Sequence, residues 1–241
     1  MTYEPRTYRH LIKDTDLVSF RVVVKETDLY VRARRDLSRE ALAAIQKYRN
    51  PLEEYIRSHP LFMHSLEPLE VDQQAPQVVK MMAGSARAAD VGPMAAVAGA
   101  MAELVGRNLL EYSDEVIVEN GGDIFIKTTR KRLVGIYAGN SPFSGKLAIE
   151  IEPEKTPMGI CTSSGTVGPS LSLGLADAAI VLSSSAAFAD AAATAVGNLV
   201  KLPDDIPAAL EHGQVISGVI GVLLIAGEHM GVWGDIKLVR L

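Results

Sequence analysis

The segment FADAAATAVGN, residues 188–198, carries one acid, Asp190, and one hydroxyl, Thr194, in a run otherwise dominated by small apolar residues. Positions four apart lie on one face of a helix, a turn from each other. A carboxylate and a hydroxyl would therefore be presented side by side. Both are hard oxygen donors. With a backbone carbonyl and waters they suit Mg²⁺, an ion that often shares its coordination sphere with a substrate phosphate. Ala191, Ala192 and Ala193 would leave room for a ligand beside them. A purely structural reading competes: Asp190 caps its helix near the start, and Thr194 bonds back to a main-chain carbonyl.

Two other stretches could serve the same chemistry. In VENGGDIFI, residues 118–126, a strand delivers Asn120, Gly121, Gly122 and Asp123 directly into another strand. Asn-Gly between alternating segments is a strong hairpin signal, so a turn is the first reading. The second is that the glycines let a nucleotide lie against the backbone, with Asp123 near a sugar, a metal or a base edge. In GICTSSGTVGPSLSLG, residues 159–174, Thr162, Ser163, Ser164 and Gly165 open a stretch rich in hydroxyls and glycine. Main-chain and hydroxyl donors of this kind can be aimed at phosphates or carbonyl oxygens. Thr162 and Ser163 are then candidates to position an acceptor. Cys161, at the head of the stretch, reads first as a small buried hydrophobe and second as a catalytic thiol.

The remaining candidates carry little. His10, His59, His64, His212 and His229 have no ligand spacing. The G-x-S-x-G elbow, the Walker loop and G-x-G-x-x-G are all missing, which excludes the commonest hydrolase and nucleotide motifs.

The elements that must position these residues follow from patterning. LVSFRVVVKETDLYVRARRDL alternates on both sides of KETD and reads as a hairpin. Its RARR run, residues 32–35, reads as a solvated hairpin edge rather than an anion site. Ser38 caps an amphipathic helix that Pro51 should break. After a connector rich in proline and glutamate, two helices meet near Gly92 and Pro93. The second, residues 93–106, is lined with alanine and glycine, which suits the core or a subunit contact in a homodimer. From residue 115 come short strands, EVIVEN, DIFIKT, RLVGIYAGN, KLAIEIEP and DAAIVLS. VIGVLLIAG and VWGDIKLVRL form a closing hairpin with His229 at its tip. Strands and helices mix without βαβ alternation, so the expectation is α+β. We expect a single domain, with a hairpin-helix portion over about residues 1–75 and a ligand-cleft portion over about 76–241.

The chain has 241 residues, a net charge of −5 and 48% hydrophobic residues, enough for a sizeable core. That charge gives no footprint for nucleic acid or an anionic membrane. MTYEPRTYRHLIKD lacks an apolar signal region, and a single cysteine excludes an internal disulfide. The expected setting is soluble and cytoplasmic, with no membrane partner.

Taken in order, NGGD, the TSSG stretch, DAAIVLS and ADAAATAV resemble the ApbE family of flavin transferases. The resemblance to the UPF0280 family, a relative of ApbE, is fuller. It runs through VGPMAAVAGA, ENGGDIF, ICTSSGT and ADAAATAVGN. The resemblance implies an ApbE-like, T-fold-related α+β architecture with mixed or antiparallel sheets and packed helices. It also implies Mg²⁺ held by Asp190 and Thr194 beside the pyrophosphate of FAD or a related nucleotide. Asn120, Gly121, Gly122 and Asp123, with Thr162, Ser163, Ser164 and Gly165, would line the same cleft. One departure stands out. ApbE-type enzymes carry H-x-x-D-P-x-T-G after the Thr-Ser-Gly loop, whereas TVGPSLSLG here has neither His nor Asp. The UPF0280 resemblance also implies a second function, a sulfur-assimilation or homocysteine-forming role that uses Cys161; the departure admits a third, a nucleotide-binding module without catalysis.

Overall fold

The computed structural model describes Arg9, residues 16–167 and residues 172–241. His10 and part of the hydroxyl-rich stretch lie outside them. An eight-stranded sheet forms the middle layer, in the order β1 (Val18–Val24), β2 (Thr27–Ala33), β3 (Val116–Asn120), β4 (Asp123–Lys127), β7 (Met158–Ser163), β8 (Ala178–Ser183), β9 (Val219–Ala226) and β10 (His229–Gly234). A second sheet joins β5 (Arg132–Gly135), β6 (Leu147–Ile151) and β11 (Leu238–Arg240). Every pairing among these strands is antiparallel. The α+β expectation holds.

Period-two alternation divides the apolar residues between two cores. On one face of the large sheet, Val118, Phe125, Cys161, Ala179, Val181 and Val222 meet the helices. These are α1 (Ser38–Ser58), α3 (Gln77–Ala88), α4 (Val97–Leu109), α5 (Ala186–Leu199) and α6 (Ile206–Val215), with the short α2 (Leu61–His64) beside α1. On the other face, Ile126, Ile160, Ile180, Leu182 and Leu223 pack against Ile136, Ile149 and Ile151 around the small sheet. Among the described residues no single helix is long and apolar enough to cross a membrane.

Several sequence expectations change. Pro51 lies inside α1 without ending it. Lys47, whose carbonyl loses its donor there, is exposed and can be solvated. Ser38 is not the cap: the N-terminus of α1 has no side-chain cap bond, and Asp36 Oδ1 accepts the Ser38 amide at 2.8 Å instead. Strand β7 covers residues that had read as loop, because its hydroxyls sit at the end of a run, Met158–Cys161, that is fully buried. The closing hairpin is real, but β11 leaves it to pair with β6. Helix α4 buries Gly99, Ala100, Ala102 and Gly106, so these small residues serve the core.

Candidate functional site

The Asn120–Asp123 turn is a tight hairpin, as its sequence predicts. Both glycines take positive φ, 70° at Gly121 and 108° at Gly122. Glu119 on β3 locks the turn by accepting the Gly122 amide at 2.9 Å. The turn also reaches inward. Asn120 Nδ2 donates to the Ala98 carbonyl at 3.1 Å, and the Thr162 amide donates to Asp123 Oδ1 at 3.3 Å. Asn120 and Asp123 are buried, which puts polar groups of β3, β4, β7 and α4 around one point.

Helix α5 supplies the other wall. Its Ser185 N-cap accepts the Phe188 amide, and nearly every α5 residue is buried. Asp190, Thr194 and Asn198 are the half-buried ones, spaced at four residues along a single stripe. Asp190 Oδ2 accepts the Gly99 amide of α4 at 2.8 Å. Asp190 is therefore a helix cap, but for another helix rather than its own. The Gly99 amide belongs to the first turn of α4, where no intrahelical acceptor exists. Among the described residues Thr194 makes no bond back to a main-chain carbonyl, so its hydroxyl stands open. Asn198 Oδ1 accepts the Leu173 amide at 2.8 Å and closes the far end of the stripe.

The glycine of α4 explains how the helices come so near. A Cβ on Gly99 would lie 2.2 Å from the Ala186 carbonyl oxygen and 2.7 Å from Asp190 Cβ. Gly159 on β7 meets Ala186 in the same way, at 2.3 Å from its Cα. Ala186 is thus gripped from two sides, which seats α5 against both β7 and α4.

The predicted residues divide accordingly. Asn120, Asp123, Thr162 and Asp190 come together, Gly122 lies beside Thr162, and Thr194 continues the α5 face. Ser163 lies beside Gly197, farther along α5. Ser164 turns its hydroxyl to the Thr166 and Val167 amides, and Gly165 donates its amide to Ala176. Those two serve the local turn. Glu103 was not singled out in the sequence; the start of α4 was read there as a segment of small residues suited to the core, not as part of the site.

The electrostatics concern two groups. Burial, and next the negative charge of Asp123, push the Asp190 carboxyl well above the ordinary carboxylate range, against the pull of the Gly99 and Ala98 amides. Among the described residues no lysine or arginine pairs with Asp190. Burial also pushes the Cys161 thiol well above its ordinary value, with Asp123 and Asp190 adding to the effect. Cys161 is 0% exposed and donates to the Ala186 carbonyl at 3.2 Å. A buried, protonated thiol is a poor nucleophile, so the geometry argues against Cys161 as a sulfur carrier. Iodoacetamide should leave the native protein unmodified and label it once unfolded in urea. Fast labelling of native protein, followed by mass spectrometry, would reverse that assignment.

With two carboxyl groups near one another and an open hydroxyl, the site presents hard oxygen donors. Among the described residues no group of three or more His, Cys, Asp or Glu side chains could hold a metal. That donor set suits Mg²⁺, which takes one or two carboxylates and fills its sphere with water and phosphate oxygens.

The fold is that of the ApbE proteins. The chain superimposes on the flavinyl transferase ApbE of Pseudomonas stutzeri with a TM-score of 0.60 at 13% identity, covering 90% of this chain and 94% of that one. The ApbE protein of Thermotoga maritima matches with a TM-score of 0.59 at 13% identity, covering 91% and 97%. A family model described as AbpE bacteria matches residues 9–228. A UPF0280 protein of Methanococcus maripaludis is 44% identical over 221 residues, 89% of this chain and 90% of the relative. Another, from Methanocaldococcus jannaschii, is 39% identical over 222 residues, 90% of each. The chain belongs to the UPF0280 family, within the ApbE-like proteins.

Proposed function

We propose that the chain binds a Mg²⁺-nucleotide of the FAD class between the start of α4, the Asn120–Asp123 turn, the end of β7 and the stripe on α5. Asp190 and Thr194 would hold the ion, with Asp123 near enough to add charge. Bound there, Mg²⁺ would neutralise the pyrophosphate and polarise the phosphorus–oxygen bond to be broken. The chain's own residues would do the rest. The Gly121–Gly122 turn would let the nucleotide lie against the backbone, and the Thr162 and Ser163 hydroxyls would orient an acceptor. The observation that carries this reading is the open Thr194 hydroxyl on the α5 face that carries Asp190, set beside a second carboxylate, Asp123.

Calorimetric titration with FAD, FMN and ADP, with and without Mg²⁺, tests it. The expected result is binding of FAD that requires Mg²⁺. Failure of every nucleotide to bind under either condition would remove the reading. The reaction itself is read from AMP, the fragment released when the FMN half of FAD moves to an acceptor. The interval TVGPSLSLG, which lacks the His and Asp of H-x-x-D-P-x-T-G, favours a second reading. In it nucleotide binds and no AMP appears, and the protein is a binding module.

A further inference from the structure

Helices α4 and α5 each carry a carboxylate that reaches the other's N-terminus. Asp190 of α5 accepts the Gly99 amide of α4 at 2.8 Å. In return Glu103 of α4 accepts from the start of α5: the Ser185 hydroxyl at 2.8 Å, and the Ala186 and Ala187 amides at 2.7 and 3.3 Å. First-turn amides have no intrahelical acceptor and carry the positive end of the helix dipole, so a carboxylate stabilises both ends. Glu103 is 2% exposed. Its second oxygen, Oε1, is held by Arg107 at 2.8 Å, and the Arg107 guanidinium lies 5.6 Å from the ring centroid of Phe125 on β4. Glu103 is thereby aimed from the sheet toward α5.

We infer that Glu103 is a positioning residue for the candidate site: the reciprocal exchange of carboxylates sets the placement of α5, and with it where Asp190 and Thr194 stand. The two contacts act as one device because they lie one helical turn apart on each helix. Gly99 and Glu103 are four apart, as are Ala186 and Asp190. A shift of α5 that loosens one arm moves the other by the same amount. Packing reinforces this at Gly99, where α5 backbone occupies the space of a side chain. Glu103 also fills the α5 N-terminus, which removes that helix end as a phosphate site. The consequence for metal binding rests on the reading proposed above. The coupling of the two helices does not.

The experiment compares wild type, Glu103→Gln, Glu103→Ala and Asp190→Ala by amide hydrogen exchange and by titration with Mn²⁺ as the metal probe. Glu103 has no contact with the Gly99 amide, so exchange at Gly99 reports whether the clamp transmits. In Glu103→Ala, exchange at Gly99 should rise about tenfold, the size expected for loss of a cap. Mn²⁺ affinity should fall by about the same factor, as for lost support of a metal ligand. Glu103→Gln keeps an acceptor oxygen for the α5 amides and should recover part of both effects. If the alanine variant fails to fold, the glutamine variant carries the comparison, with a smaller rise at Gly99 expected. Faster exchange confined to Ala186 and Ala187, with Gly99 unchanged, would overturn the inference and leave Glu103 as a local cap. Unchanged Mn²⁺ binding in Asp190→Ala would overturn the metal-site reading, while exchange at Gly99 would still decide the clamp.

Discussion

On the function proposed above, Asp190→Asn should leave the protein folded and weaken Mg²⁺-dependent nucleotide binding by about 100-fold or more. Asparagine keeps an acceptor oxygen that the Gly99 amide can use, so the contact between α5 and α4 survives. Its amide is neutral, and it forfeits the charge that would attract a cation. Relief of the repulsion between Asp190 and Asp123 works in favour of the folded state. Stability should therefore change by no more than about 1–2 kcal/mol, the range of a helix cap. Loss of a metal ligand is larger. Weakening by about 100-fold or more is expected, since even removing supporting groups around a metal costs 10–100-fold. Asp190→Ala should lose both functions and add the cost of the cap. Urea unfolding and calorimetry on the same samples separate the two roles. Retained Mg²⁺-dependent binding in Asp190→Asn would leave Asp190 as a cap and nothing more.

The stripe was legible because its information is local. Asp190 and Thr194 stand four apart in a helix-forming run, and the Asn-Gly pair specifies a turn through the φ values its residues must adopt. What Asp190 does in the free protein was not legible. Its partner is the amide of Gly99, 91 residues away, and that amide needs a partner only because α4 begins there. Glu103 was hidden for the same reason: within its own helix it is an ordinary polar residue beside Arg107. Strand β7 was misread because glycine and hydroxyls signal a loop when taken singly. Gly159 is there so that Ala186 can approach the sheet, and Thr162 contributes its amide to Asp123. Pro51 misled in the opposite direction, since packing of the buried face of α1, with Ile45, Tyr48 and Leu52 around it, outweighs the local cost of a proline.

At the far end of the same strands lies the residue whose loss should cost most. Glu115, just before β3, is 0% exposed, and Arg132 on β5 is 5% exposed. The pair is in direct contact, and the Thr129 amide donates to Glu115 Oε1 at 2.8 Å. Arg132 also holds Asp16 through two bonds, at 2.7 and 2.9 Å. This cluster ties β3 and β5, and so the large sheet to the small one. Glu115→Ala would leave a buried guanidinium short of a counter-charge, a change that costs about 3–5 kcal/mol. Unfolding in urea measures it, and a loss under about 1 kcal/mol, the value of a surface pair, would sink the argument.

The same cluster predicts how the protein responds to acid. Burial alone would raise the Glu115 carboxyl, but hydrogen bonds from Thr129 and Arg132 hold it below its ordinary 4.5. Hydrogen bonding to Arg132 holds Asp16 down at about 2. A carboxyl depressed in the folded state contributes stability that is complete above its unfolded value and lost as the pH falls through the folded one. The contribution is therefore full above about pH 4.5 and declines toward pH 2. Glu115→Gln removes one of the two titrating groups. Its stability should start lower at neutral pH and fall less steeply over that window than wild type. Parallel curves for the two proteins would mean that acid sensitivity arises elsewhere, and the cluster would then join the sheets without governing their response to protons.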